Sequence, residues 1–437
     1  MRRATRCSSA AGADNRSGTP PAASSAFSAT GRSAASPPEV VAQVLWLTPF
    51  PPAPATSAGA GRMFELIRRL AAHHRVDVLS FAADDELGSD ATRTLERAGA
   101  RHVRLVPRQP DRRSDWLGLR PAAVAEYRDP TMAHALAATL ASRAYDLLQV
   151  EYGPMAEYAP RRGAGPHGVW TVHELGCARL RDELARRRGP VRALLAYRYL
   201  QMLRYELSLT ARFDLIVAIA EAEARELRER GAAAPVAVSP MGVDTRAFPP
   251  APPEVEEPGL ILLVGFFGHA PNVDAARWFV GDVLPRVRVA RPAAHVALVG
   301  REPPPAVRAL AEPRLVEVTG FVPDLRPWLA RAQVVVVPVR EGGGVRGKVL
   351  EAWAAARPVV ATARGVAGLE AYDGENVLVA DDVATFAGHV ARLLGDAELR
   401  RRLGAAGRAT AEARYDWDAI AAAHAELYDR LLAPRAA

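Results

Sequence analysis

The chain has 437 residues, more than one ordinary hydrophobic core accommodates, so two or three folding units are expected and two is the simplest division. An apolar fraction of 49% with 24% charged residues belongs to a folded globular protein and excludes a fibrous or wholly disordered chain. The formal net charge is +7, but 49 acidic residues lie among the 56 basic ones and the arginines are widely spread, so the charge balance does not point to nucleic acid.

Two cysteines, Cys7 and Cys177, cannot form a disulfide framework and sit in no metal-ligand spacing, which fits a reducing, cytoplasmic compartment. No run of eighteen uncharged apolar residues occurs, so no membrane-spanning segment is expected. Residues 1–40 are rich in Ser, Ala, Pro and Gly without a continuous apolar stretch, and read as a disordered tail rather than a secretory signal.

Order is expected from Val41 onward. The apolar runs QVLWLT, VDVLSF, HVRLV, DLLQVEY, GVWTVH, DLIVAIA and VAVSP alternate with helix-like segments, as a parallel α/β sheet requires, and define a first domain over 41–240. Within it, CARLRDELARRRGPVRALLAYRYLQMLRYELSLTARF reads as a helical hairpin interrupted at Gly189–Pro190. Its apolar stripe suits packing on the sheet, while its arginine-rich face suits an anionic lipid surface or an acidic partner.

The segment PMGVDTRAFPPAPPEVEEPG breaks the pattern with prolines and acidic residues and reads as an interdomain linker. Alternation then resumes with LILLVG, AHVALVG, LVEVTG, QVVVVPV, PVVAT and NVLVA, giving a second domain over 241–415. The remainder to Leu432 is expected to be helical, broken near Gly404 and Gly407, with 416–437 a terminal helix that crosses back to the first domain. The fold class is therefore α/β, with two Rossmann-like domains facing across a cleft.

One stretch of the second domain carries chemistry. EGGGVRGKVLEAWAAA leaves the apolar run QVVVVPV through Gly342, Gly343 and Gly344 into a helix that holds Lys348, the one lysine among the 56 basic residues. Ligands of open α/β sheets bind beyond the carboxyl ends of strands. A glycine loop there lets backbone amides approach a phosphate, and the helix start adds unpaired N–H groups. Arg346 and Lys348 would supply a guanidinium and an ammonium to a diphosphate, two cations of different geometry. Glu351, three residues beyond the lysine, would accept from ribose hydroxyls; the competing reading is an i,i+3 surface ion pair. The segment GGGVRGKV also meets the P-loop pattern up to its last place, where Val349 replaces the hydroxyl that would ligate magnesium.

With TGFVPDLRPWLARAQVVVVPVREGGGVRGKVLEAWAAARPVVATARGVAGLE, FGHAPNVDAARWF and SPMGVDTRAF in view, the chain from Val41 on resembles the retaining glycosyltransferases of the GT-B fold, the "glycosyl transferases group 1" type. The resemblance implies a nucleotide-diphosphate sugar as donor substrate, no cofactor, no dissociable metal and a glycan or lipid-linked acceptor. It implies that Glu351 meets the ribose and that Gly342, Gly343 and Gly344 meet sugar and diphosphate, with Gly268 in a further donor-side loop. His173 would touch the donor sugar. Gly59, Gly61 and Arg62 would form a loop facing acceptor and phosphate. It further implies retention by front-face attack, with the leaving phosphate taking the acceptor's proton and domain closure about the linker excluding water.

Two positions depart from the family's pattern. Eight residues before Glu351, where a first glutamate is common, stands Gly343, with Glu341 two residues too early. The loop GFFGHAPNVDAARWF lacks the cations that usually hold the diphosphate, so Arg346 and Lys348 are expected to take over that charge. The alternatives are a nucleotide-sugar epimerase on the same fold, a non-catalytic binding protein, or a P-loop nucleotidase. Location on the inner face of a membrane, by peripheral contact, is a further expectation.

Overall fold

The computed structural model of the protein describes residues 41–54, 57–83, 89–108, 120–342 and 347–434. Seven parallel strands form the first sheet: β1 (Gln43–Thr48), β2 (Arg75–Ala82), β3 (His102–Pro107), β4 (Leu147–Glu151), β5 (His167–Val172), β6 (Leu215–Ala218) and β7 (Val236–Val238). Their order is β3-β2-β1-β4-β5-β6-β7. The second sheet holds six, β8 (Leu260–Val264), β9 (His295–Val299), β10 (Val316–Gly320), β11 (Val334–Val337), β12 (Val359–Ala361) and β13 (Leu378–Val379), ordered β10-β9-β8-β11-β12-β13 and again all parallel. Each strand falls within or across one of the apolar runs named above, because a strand covered on both faces has no polar side to show. The separate apolar clusters on the two faces of each sheet supply that cover.

Strand order locates the sites. In the first sheet the winding reverses between β1 and β4, and in the second between β8 and β11. At such a reversal the loops leaving neighbouring strands diverge and open a crevice at their carboxyl ends. The helix that follows β1 is α1 (Ala58–Leu70), begun by Ser57, whose hydroxyl accepts from the Ala60 amide. After β5 comes the hairpin of α2 (Gly176–Arg186) and α3 (Val191–Leu209). After β8 comes α4 (Ala270–Trp278), and after β11 comes α5 (Gly347–Ala354).

The terminal stretch departs from expectation. Helix α6 (Ala397–Thr410) runs unbroken through Gly404 and Gly407. These glycines serve close approach: a Cβ on Gly404 would lie 2.1 Å from the Ala356 carbonyl oxygen, and one on Gly407 2.4 Å from the Trp353 ring. The break comes instead at Asp416, which caps α7 (Trp417–Leu432) by accepting from the Asp418 amide. Trp417, Ile420, Ala421 and Tyr428 of α7 pack with Trp46, Met63 and Leu66 of the first sheet's layer.

The chain thus passes between the two sheets twice, side by side. Val243 donates to the Tyr415 carbonyl at 2.7 Å, and Thr245 Oγ1 donates to Asp416 at 2.5 Å. The linker is further pinned by Glu256, which accepts from Arg357 and Arg400 at 2.6 and 2.9 Å. Gly404→Ala should lower unfolding free energy by about 1–3 kcal/mol in urea denaturation, since a backbone carbonyl cannot yield to the methyl. Gly388→Ala, exposed in a helix with open space around it, should be neutral or stabilising by up to about 1 kcal/mol.

Candidate active site

At the first sheet's crevice, β4 ends in a polar sequence that its apolar neighbours do not lead one to expect. Gln149 and Glu151 are both fully buried. Gln149 Nε2 donates to Glu151 Oε1 at 2.8 Å and to Thr171 Oγ1 at 2.5 Å, and its own carbonyl oxygen accepts from the Tyr428 hydroxyl of α7 at 3.0 Å. Glu151 Oε2 lies 2.5 Å from His173 Nε2 and 3.9 Å from Arg62 Nη1.

Burial pushes the Glu151 carboxyl up, but the His173 hydrogen bond and the charge of Arg62 more than offset it and leave the group below the usual carboxylate range. Burial likewise lowers His173, and the opposing pull of Glu151 does not restore it. The imidazole is therefore neutral at neutral pH, with its proton on Nε2 toward the carboxylate and Nδ1 left as an acceptor. That acceptor faces Gly59 at the start of α1: a Cβ there would lie 3.5 Å from Nδ1 and 1.8 Å from the Tyr152 hydroxyl. Tyr152 stacks on His173, with ring centroids 3.9 Å apart and planes within 5°. Gly59 is thus a steric requirement of the Tyr152–His173 stack. Gly61 has open space around its Cβ position and no such requirement.

Arg62 corrects an expectation. Its side chain does not face outward from the loop but is completely buried, donating to the Ser239 carbonyl at 2.8 Å and the Ser239 hydroxyl at 3.1 Å. The reason is electrostatic, since Glu151 would otherwise stand buried with only a neutral imidazole beside it. His424 of α7 reaches the same Ser239 hydroxyl at 3.2 Å.

At the second sheet's crevice, Lys348 in the first turn of α5 points across to α4, where its Nζ donates to Asn272 Oδ1 at 2.8 Å. The side chain is partly buried, and the ammonium links the first turn of α5 to that of α4. Gly342 has φ 86°, and a Cβ there would meet Pro271 at 2.9 Å, so the loop lies against the start of α4 as only glycine allows. Arg364 Nη1 donates to the Gly342 carbonyl at 3.0 Å. Gly268 is crowded by the Phe266 ring and the Glu302 carboxylate, at 2.4 and 2.9 Å from its Cβ position. Glu351 follows on α5. It keeps part of its surface accessible, yet burial raises its carboxyl to about 7 against the pull of Lys348. Val349 is fully buried in the core, so no side chain of a P-loop hydroxyl's kind stands there.

The predicted residues therefore fall into two groups. His173, Gly59 and Arg62 surround the first crevice, and Gly268, Gly342, Lys348 and Glu351 the second. Gly343, Gly344 and Arg346 lie outside the described residues. Glu341 is exposed, 3.9 Å from Arg186 of α2. Sequence reasoning missed Glu151, Tyr152, Asn272 and Arg364. For Glu151 a signal existed, two polar residues in a strand that is otherwise wholly apolar; for Asn272 and Arg364 there was none.

A family model described as "Glycosyl transferases group 1" matches residues 259–396, and one described as "Glycosyltransferase Family 4" matches residues 59–247. Each of the two sheet domains thus matches a glycosyltransferase family model. It is 30% identical over 200 residues to the lipopolysaccharide core biosynthesis glycosyltransferase LpsE of Rhizobium meliloti, covering 44% of this chain and 53% of that protein. It is 31% identical over 199 residues to a GDP-mannose-dependent monoacylated alpha-(1-6)-phosphatidylinositol monomannoside mannosyltransferase of Corynebacterium glutamicum, covering 41% and 52%. The alignments thus span about half the length of these curated relatives.

The GT-B fold of this chain is shared with sucrose-phosphate synthase from Thermosynechococcus elongatus, at TM-score 0.65 and 22% identity over 89% of this chain and 99% of the other. Anabaena HepE in complex with UDP and glucose matches at TM-score 0.62 and 16% identity over 88% and 99%. WaaG, a glycosyltransferase involved in lipopolysaccharide biosynthesis, matches at TM-score 0.59 and 16% identity over 90% and 100%.

Because Glu151 balances Arg62 in a dry site, Glu151→Ala should destabilise the glycosyltransferase fold by about 3–5 kcal/mol in chemical denaturation. Removing both charges together, as Arg62→Met with Glu151→Leu, should cost less than that single change. A double variant that loses as much as the sum of its parts would show the two charges to be independent.

Proposed function

We propose that the protein is a retaining glycosyltransferase that moves a sugar from a nucleotide-diphosphate sugar to a glycan or lipid-linked acceptor, without a dissociable metal or cofactor. The observation that carries this reading is the placement of Lys348: its ammonium is held 2.8 Å from Asn272, inside the crevice of the second sheet rather than in solvent. Departure of a nucleoside diphosphate builds negative charge on its phosphates. A preorganised ammonium, loop amides and the first N–H groups of α5 stabilise that charge.

Glu351, one turn further on, accepts from the ribose hydroxyls and fixes the nucleotide's orientation. In the first domain, the neutral His173 offers Nδ1 to a hydroxyl of the transferred sugar, and Tyr152 and Glu151 hold the ring in place. The acceptor hydroxyl attacks the anomeric carbon on the face that the diphosphate leaves, and its proton passes to the departing phosphate oxygen. Retention follows, and no enzyme nucleophile is needed. Closure about the linker brings the two crevices together and excludes water. A lipid-linked acceptor is supported by the curated relatives, one named for lipopolysaccharide core biosynthesis and the other for a phosphatidylinositol monomannoside. The reading places the enzyme in the cytoplasm, in peripheral contact with the membrane's inner face.

Lys348→Ala and Glu351→Ala should each reduce transfer from a nucleotide sugar by about a hundredfold or more while leaving the melting temperature within a few degrees of the parent. Full activity in both variants would remove the basis of the proposal. A product formed without any acceptor would indicate an epimerase. The titration of Glu351 gives a second test. A carboxyl titrating near 7 is neutral below that pH and accepts poorly, so donor affinity measured by calorimetry should weaken as pH falls from 8 to 6. In Glu351→Gln that pH dependence should vanish.

A further inference from the structure

We infer that the outward face of α3 is a docking surface for an anionic lipid bilayer. The observation is the coincidence of apolar exposure and unpaired positive charge on one helical hairpin. Val191, Leu194, Tyr197 and Leu200 are exposed to 54, 51, 50 and 51%, and they make up four of the ten large apolar side chains that are exposed among the described residues. Leu194, Tyr197 and Leu200 lie on the side of α3 turned away from Leu195, Met202 and Leu209, which are buried, and Val191 joins them at the helix's first residue. The core therefore already has its stripe from this helix, and the second stripe has no partner within the fold.

Arginines rim the exposed stripe. Between Arg179 and Arg204 the hairpin carries eight arginines against two carboxylates, Asp182 and Glu183. Arg187, Arg188, Arg192 and Arg198 are exposed and make no ion pair among the described residues. Leucines and a tyrosine bordered by guanidinium groups are what an interfacial helix presents to a lipid surface: the apolar side chains enter the acyl boundary and the cations meet the phosphates. No described helix is long and apolar enough to cross a membrane, so the contact is one of lying on the surface. A second copy of this chain fits less well, because a symmetric pairing would set arginine rim against arginine rim. An acidic protein or nucleic acid would engage the arginines and leave the apolar stripe in water.

The hairpin is tied together at its base and reaches Glu341 and Arg364 of the second domain. Glu206 of α3 accepts from the amides of Gly176 and Cys177 at 2.7 and 3.1 Å, fixing the start of α2 to α3. At its other end α2 meets the second domain, with Asp182 3.8 Å from Arg364 and Arg186 3.9 Å from Glu341. A bilayer under α3 would thus hold a lipid-linked acceptor on the side of the protein where Glu341 and Arg364 stand. The inference names the surface for the peripheral contact proposed above and rests on that reading for its purpose.

The test is flotation of the full chain with vesicles of phosphatidylcholine alone and of phosphatidylcholine with one third phosphatidylglycerol. The parent should float with the anionic vesicles, less so at raised salt, and stay behind with the neutral ones. The exposed-stripe variant Leu194→Ser, Tyr197→Ser, Leu200→Ser and the rim variant Arg187→Gln, Arg188→Gln, Arg192→Gln should each bind about tenfold more weakly or worse. Their rise in melting temperature with a nucleotide sugar should match the parent's, which shows the fold and the donor site intact. A parent that does not float, variants that float as the parent does, or a parent dimer that the stripe variant dissociates in light scattering would each overturn the inference. Loss of the nucleotide-sugar response in the parent, with flotation retained, would instead overturn the transferase reading and leave the docking surface standing.

Discussion

The contact between the Lys348 ammonium and Asn272 joins the first turns of the two helices that flank the second sheet's switch point, and the donor site proposed there depends on it. A chain that writes its other positive charges as arginine places its one ammonium where α4 and α5 begin, 2.8 Å from an amide oxygen that costs little to displace. An ammonium is compact and exchanges partners easily, whereas a guanidinium demands a planar counterpart. Gly342 makes the arrangement possible by lying against Pro271 in a conformation that side chains disfavour. The proposed donor would meet both at once, the backbone at Gly342 by close approach and Lys348 by its charge.

The first domain works by the opposite means. Its crevice is floored by a buried polar network in which Glu151, Arg62, Gln149 and Ser239 hold one another, with a nearly buried neutral imidazole, His173, clamped by a tyrosine ring at its edge. Two members of that network come from α7, nearly three hundred residues after β4, through Tyr428 and His424. The return of the terminal helix to the first sheet therefore completes the polar floor as well as the apolar cover. Removing Glu151 would leave a guanidinium stranded in a dry site, which explains why so polar a strand end is tolerated in the centre of a parallel sheet.

Much of the fold was legible because buried central strands write themselves as apolar runs, while edge strands such as β3 and β10 keep enough alternating apolar residues to be found. Glycines were less readable. Gly404 and Gly407 look like helix breakers in isolation, yet they are contact points between helices, and only the neighbours at Ala356 and Trp353 reveal the difference. At the candidate site, glycines and charged residues could be singled out from their spacing. Side-chain direction could not: Arg62 sits beside a glycine turn just as a phosphate ligand would, but an acid ninety residues away turns it inward. Asn272 and Arg364 carry no local signature, since their meaning lies in what approaches them from other strands. The exposed stripe of α3 shows the same limit, because sequence gives the apolar residues and only packing divides them between core and surface.

The central claim, that a donor's diphosphate lies against the glycine loop with Lys348 as its counter-charge, is tested most directly by a crystal structure of the protein with UDP or GDP bound. Phosphate oxygens should lie within hydrogen-bond distance of Lys348 Nζ, and ribose hydroxyls on Glu351. A diphosphate bound elsewhere, with Lys348 still on Asn272, would contradict it.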